Sequence, residues 1–207
     1  MENYLESLNQ NHPDPLMEAI RLQACAQAIP IIKMETLVFI EQMALLSKAE
    51  RVLEIGAAIG YFAIHMAKYA NVRLTSIEID KTLAEIAKAN IAKANQETMI
   101  DLLNFDALEI ETAGLGIYDI IFVDGAKGKY RAYFNKYKDS LRKGGFYVFD
   151  NLLFRGQVAH PETIISRNRR QLVNKIKDFN AFILDQPDFN TRIYPLGDGV
   201  AVAIKMR

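Results

Sequence analysis

Two short apolar runs in this sequence end in oxygen-bearing side chains. Tyr118–Val123 leads into Asp124, and Gly145–Asp150 closes on a carboxylate with the amide of Asn151 directly after it. If the runs are consecutive strands of a parallel sheet, these ends are neighbours at its carboxyl edge, where open α/β sheets bind ligands. Two carboxylates and an amide converging there suit Mg²⁺, which takes six oxygens and leaves positions for water and substrate. A cluster of unpaired carboxylates is otherwise costly, so a purely structural role is the weaker reading. Lys127 follows Asp124 by three residues. Alone it would read as a surface charge. Beside a divalent cation its amine has a lowered pKa and can take a proton from a hydroxyl, which the cation acidifies by coordinating it.

A second constellation lies upstream. Val52–Gly60 reads as a strand, a small-residue turn and a helix start, with the spacing Glu54-x-Gly56-x-x-x-Gly60. A dinucleotide fingerprint would need glycine at 56, 58 and 61, where this chain has Gly, Ala and Tyr. Without the second glycine, backbone cannot approach a pyrophosphate, which disfavours NAD. The spacing suits S-adenosylmethionine, which has a ribose but no pyrophosphate; a plain strand-to-helix turn is the other reading. Glu78 ends the next run, 22 residues past Gly56, where a carboxylate can accept both ribose hydroxyls. Phe105-Asp106-Ala107 ends the third run. There Asp106 either accepts from an adenine amino group or caps a helix, and Ala107 leaves room for a ring.

These residues need an α/β scaffold. Arg51–Ile55, Arg73–Ile79, Met99–Phe105, Tyr118–Val123 and Gly145–Asp150 suit buried strands. Helical stretches alternate with them: Tyr61–Tyr69, Lys81–Asn95, a short one near Ala107, and Tyr130–Leu141. The alternation implies a parallel sheet with right-handed crossovers and helices on both faces. Two helices precede it, Pro13–Ile29 and roughly Lys33–Leu46, parted by Pro30. A long helix near Pro161–Phe179 and two late strands, Ala181–Asp185 and Val200–Lys205, complete the chain. The Gly197-Asp198-Gly199 turn before the last strand suggests antiparallel pairing there. The expectation is a single α/β Rossmann-like domain over residues 1–207. It has a mostly parallel seven-stranded sheet, an antiparallel last strand and a helical extension over residues 1–48.

With 50% hydrophobic and 24% charged residues among 207, the chain can bury a core and is not a disordered tail. The N-terminus lacks a basic, apolar leader, and no run reaches membrane-span length, so a cytoplasmic location is expected. Cys25 reads as a buried, inert thiol. His12, His65 and His160 show no zinc-ligand spacing. The net charge of zero hides a division: residues 1–126 carry 9 Lys+Arg against 18 Asp+Glu, and residues 127–207 carry 16 against 7. Either the basic half meets an anionic partner, or the halves interleave in space and their fields cancel.

Taken together, Val52–Gly60, Tyr118–Lys127 and Gly144–Asn151 resemble the cation-dependent O-methyltransferases, the family of catechol and caffeoyl-CoA methyltransferases. The likeness extends over about residues 15–207. It implies that Asp124, Asp150 and Asn151 hold the cation and that Lys127 and Asp124 serve the chemistry. The cofactor residues it implies are Ile31, Glu54, Gly56, Gly60, Tyr61, Glu78, Asp106, Ala107 and Asp124. Phe62 departs from the family, in which a serine often helps hold the methionine carboxylate; backbone amides near Tyr61 are the substitutes. Within the family the chain is most similar to bacterial tRNA 5-hydroxyuridine methyltransferases, through Asn151–Gly156, Arg167–Arg170 and Pro195–Gly199. That likeness implies a tRNA anticodon loop as partner and a homodimer, with the N-terminal helices as a candidate interface. Arg155, Arg167, Arg169 and Arg170 are the candidate phosphate contacts, and a solvated helix face is their alternative. The competing functions are a small-molecule enzyme acting on catechols or hydroxycinnamoyl thioesters, and a non-catalytic binding module. The intact Asp124, Lys127, Asp150 and Asn151 argue against the last.

Overall fold

The computed structural model describes Leu8 and residues 14–207, so His12 and the expected helix start at Pro13 lie outside the described residues. The chain forms two compact units that meet in sequence at Asp106 and Ala107.

In the first unit, α1 (Pro15–Ala26) begins where Asp14 accepts from the N–H groups of Leu16 (2.9 Å) and Met17 (3.2 Å). This cap satisfies two donors that every helix start leaves open. Helix α2 (Met34–Ser47) stops where Lys48 turns left-handed. Strands β1 (Arg51–Ile55), β2 (Arg73–Ile77) and β3 (Ile100–Leu103) run parallel in the order β3-β2-β1. Helix α3 (Tyr61–His65), which runs on into a π-turn over Met66–Ala70, and α4 (Lys81–Lys93) supply the crossovers. Leu53, Ile55 and Leu74 in the strands, Leu37 and Ile40 in α2, and Ala87 and Ile91 in α4 are buried as its core.

The second unit holds β4 (Tyr118–Val123), α5 (Tyr130–Tyr137), β5 (Leu141–Phe149), α6 (Arg167–Leu184), β6 (Phe189–Tyr194) and β7 (Val200–Lys205). Its strand order is β4-β5-β7-β6, parallel between β4 and β5 and antiparallel on both sides of β7. Its core is aromatic. Tyr147 stacks on Phe149 at 5.2 Å, Phe179 meets Phe149 edge-on at 4.8 Å, and Tyr130 packs on both Phe149 and Phe179. Such pairs each add about 0.5–1.5 kcal/mol beyond the area that they bury. The fold is α/β with seven strands, mostly parallel, as the alternation of runs implies.

Four expectations need correction. Residues 181–184 continue α6 and are not a strand: Val173, Ile176, Phe179 and Ile183 are buried at helical spacing. The strand that precedes β7 is β6, whose alternating Asn190, Thr191 and Arg192 give no apolar run. The long helix starts at Arg167, capped by Ser166, and Pro161–Thr163 is a separate 3₁₀ turn. No helix forms at Ala107; turns lead to a 3₁₀ segment at Thr112–Gly114. Cys25 is exposed rather than buried, because it lies off the face of α1 that buries Met17, Ile20 and Ala24.

Candidate active site

The first unit organises its candidate cofactor residues around Glu78, which is buried just beyond β2. One oxygen of its carboxylate accepts from the N–H of Ala58 (2.8 Å) and the other from the N–H of Asp80 (2.8 Å). Ala58 has φ 48, a left-handed conformation that a residue with a Cβ adopts only when held. Gly56 and Ala57 donate to the carbonyl of Ile77, so the turn after β1 is anchored on the end of β2. Gly60 has φ 82, a left-handed conformation that residues with a Cβ rarely adopt, and it packs beside Ala87 of α4. Glu54 is buried in β1. Tyr61 is also buried, and burial raises its phenol pKa against the opposing charge of Arg21, with a smaller rise from Glu18. Phe62 is buried in the core. Ile31 is half-buried between α1 and α2, and Asp106 is half-buried beyond β3.

Two residues here escaped sequence reasoning. Asn104 donates to the carbonyls of Glu78 (2.8 Å) and Ile79 (3.3 Å), and buried Asn90 donates to that of Ile59 (3.0 Å). Asn90 braces the turn after β1 from α4, and Asn104, just beyond β3, braces the chain that leaves β2. An isolated Asn carries no motif that would have flagged either.

In the second unit, β4 and β5 pair in register, Val123 opposite Phe149, so Asp124 and Asp150 leave adjacent strand ends. Burial pushes the Asp124 carboxyl up to about 7; the Asp150 carboxylate adds to the rise and the Lys127 ammonium opposes it. Asp150 is buried and accepts from the N–H of Asn151 (2.6 Å), while Asn151 itself is left-handed at φ 62. Lys127 opens a 3₁₀ turn ahead of α5. Tyr130, which the sequence did not single out, donates its buried hydroxyl to the carbonyl oxygen of Asp150 (2.9 Å). Burial, then Asp124 and Asp150, raise its pKa well above the ordinary phenol value, so it stays a donor. Ala107 is buried, and its carbonyl accepts from the Tyr137 hydroxyl.

Among the described residues, no group of three or more His, Cys, Asp and Glu side chains could hold a metal ion. The candidate donors at the ends of β4 and β5 are two carboxylates, Asp124 and Asp150, and the amide of Asn151. Two carboxylates in each other's field are costly unless a positive charge joins them, and hard oxygens select a hard divalent cation. The residues fit Mg²⁺.

The four arginines are exposed but differently occupied. Arg169 lies over the ring of Phe154 (5.9 Å to the centroid), and Arg170 donates to the carbonyl of Ile164 (2.7 Å). Arg155 is tied through its main-chain N–H to Asp198. No helix among the described residues is long and apolar enough to cross a membrane.

A family model described as O-methyltransferase matches residues 9–206. The chain is 29% identical over 177 residues to a catechol O-methyltransferase of Niastella koreensis, covering 80% of this chain and 78% of that one. It is 28% identical over 201 residues to mouse catechol O-methyltransferase domain-containing protein 1, covering 93% and 75%. A crystal structure of a Staphylococcus aureus protein, provisionally described as a caffeoyl-CoA O-methyltransferase, superposes with a TM-score of 0.93. It shares 33% identity and covers 98% of both chains. A Bacillus cereus O-methyltransferase solved with S-adenosylhomocysteine shares the fold, with a TM-score of 0.84 at 24% identity and coverage of 98% of this chain and 96% of that one.

Proposed function

This chain belongs to the O-methyltransferase family, and on that premise we propose that it methylates a hydroxyl standing beside a second oxygen, using S-adenosylmethionine and Mg²⁺. The observation that carries this reading is the Asp124–Asp150 pair at adjacent strand ends, with Lys127 within its field. Glu78 holds the ribose, the turn from Gly56 to Tyr61 takes the methionine end, and Asp106 and Ala107 frame the adenine. Asp124, Asp150 and Asn151 hold the cation. Bound there, Mg²⁺ would act as a Lewis acid and lower the pKa of a substrate hydroxyl. S-adenosylmethionine would supply the methyl group, carried on a sulfonium whose neutral thioether is the leaving group. Lys127 takes the hydroxyl proton on Nζ, which leaves the oxygen a full lone pair for attack. Tyr130 holds the carbonyl of Asp150 and so orients that ligand.

The substrate that we propose is 5-hydroxyuridine in a tRNA anticodon loop, converted to 5-methoxyuridine by a cytoplasmic homodimer. Its hydroxyl and adjacent carbonyl form the pair of oxygens that the cation requires. Exposed Arg155, Arg167 and Arg169 lie in the same unit as Asp124 and Asp150, which supports a phosphate-bearing substrate. A second reading, a small catechol or a hydroxycinnamoyl thioester, is favoured by the likeness to a catechol O-methyltransferase. Methyl-transfer assays of the purified protein on hydroxyuridine-containing tRNA and on catechol, with Mg²⁺ and with EDTA, separate the two. The expected result is transfer to tRNA, abolished reversibly by EDTA. Higher efficiency on catechol would put the small-molecule reading in its place, and full activity in EDTA would remove the cation.

A further inference from the structure

The loop that leaves β5 begins with two of the three candidate cation ligands and is unusually strained. Asn151 (φ 62), Phe154 (φ 45) and Arg155 (φ 55) are left-handed without being glycine, and Gly156 (φ 76) follows. Such conformations persist only where the surroundings over-determine them. Here the surroundings are the turn before β7. Leu152 donates to the carbonyl of Gly199 (2.8 Å) and Leu153 to the carbonyl of Asp198 (2.8 Å). The carboxylate of Asp198 then accepts from the N–H of Arg155. Gly199 has φ 91, and a Cβ on it would lie 2.7 Å from the backbone nitrogen of Leu153, so any other residue would push the loop away. From α6, Asn180 secures the carbonyl of Leu152 (3.0 Å).

Asp198 therefore grips the loop on both sides of Phe154, by main chain at Leu153 and by side chain at Arg155. We propose that Asp198 is a positioning residue for the cation: by fixing the loop at Arg155 it sets the left-handed turn that aims Asn151 beside Asp150. This rests on the assignment of Asp124, Asp150 and Asn151 to the cation. Partners of this kind, one shell out from the ligands, typically govern affinity by about 10–100-fold.

The test is Mn²⁺ binding to the full-length protein, followed by electron paramagnetic resonance, with S-adenosylmethionine affinity measured alongside. Asp198→Ala should weaken Mn²⁺ by about 10–100-fold and leave cofactor affinity as it is in the wild type. Asp198→Asn retains an oxygen facing the N–H of Arg155 and should restore most of the loss. Asp198→Glu keeps the charge but displaces the acceptor by one methylene, and should also bind weakly; it serves if the alanine variant does not fold. Asp150→Ala is the control. If it loses Mn²⁺ while Asp198→Ala and Asp198→Glu bind like the wild type, Asp198 has no positioning role. Asparagine failing as badly as alanine would assign the effect to charge and overturn the hydrogen-bond argument. Normal Mn²⁺ binding by Asp150→Ala would instead overturn the cation assignment on which the proposal stands.

Discussion

The protonation of Asp124 is set by its surroundings before any substrate arrives. Asp124 holds its proton up to about pH 7 in the cation-free fold, chiefly through burial and then through Asp150. An unfolded chain releases the same proton near its ordinary value of about 4. Across that window the folded state binds more protons, so the cation-free protein loses stability as pH rises from about 4 to about 7. Mg²⁺ needs the carboxylate, so its stabilising effect should grow over the same interval. Thermal melts with and without Mg²⁺ at about pH 5 and about pH 8 should show the larger gain at the higher pH. Equal gains would take Asp124 out of the cation site. Lys127→Met should slow turnover by about 10²–10⁴-fold, the range of a general base, with cofactor affinity unchanged. Single-turnover rates near wild type across the pH range would show that the cation alone acidifies the hydroxyl. The type and place of Asp124, Lys127 and Asp150 were legible in the sequence because each stands at or just after a strand end. The hold of Glu78 on left-handed Ala58 was not, since the two lie 20 residues apart and meet only when β1 and β2 pair.

Elements were legible where their burial pattern is local. The apolar runs at β1 and β4 match the strands residue for residue, because both are buried almost throughout. The end of α6 and strand β6 were not. The run Ala181–Leu184 suits either helix or strand, and its continuation of the buried stripe decides for helix. Strand β6 lies at the sheet edge with exposed polar positions, so nothing in its composition announces it. Helix α1 has more than a cap at Asp14, because the other carboxylate oxygen accepts from Lys68 and from the Tyr69 hydroxyl. Burial works against ionisation of this carboxyl, but Lys68, Tyr69 and the helix N–H groups outweigh it and hold the group well below the usual range. Asp14→Ala should therefore lower stability in urea unfolding by about 1–3 kcal/mol, combining cap and hydrogen-bond losses. The difference from wild type should be full above about pH 4 and shrink as pH falls through the depressed value. A difference that persists undiminished in acid would mean that shape, not charge, fastens the helix.

On the scale of the whole molecule, the charge division follows the two compact units in sign. Residues 1–106 carry 9 Lys+Arg against 14 Asp+Glu, and residues 107–207 carry 16 against 11. The contrast is milder than at residue 126 because Glu109, Glu111, Asp119 and Asp124 fall in the second unit. The excess of positive charge thus accompanies the candidate cation ligands in one unit. If tRNA is the substrate, its affinity should fall with salt, with a log–log slope of about −0.7 per phosphate contact in a single-stranded loop. Replacing Arg167 and Arg169 with alanine should flatten that slope while sparing cofactor binding. Arg170 is a poorer choice, because its guanidinium supports the carbonyl of Ile164 and its loss would disturb the loop before α6. Filter binding at several salt concentrations measures the slope, and an unchanged slope in the double variant would reassign these arginines to a solvated helix face.

The sequence by itself determined the α/β class, the strand ends that carry Asp124, Asp150 and Glu78, and the glycine turn at Gly56–Gly60. These are local matters: each follows from an apolar run, its termination and the residue type that stands there. Tertiary structure decided what holds those residues in place. Tyr130 reaches the carbonyl of Asp150, Asn104 that of Glu78, and Asp198 the N–H of Arg155, across 20, 26 and 43 residues of chain. A hydrogen bond of that kind has no period and no spacing rule. It exists only when packing has brought two distant backbones within about 3 Å of a side chain, and sequence pattern carries no record of that approach.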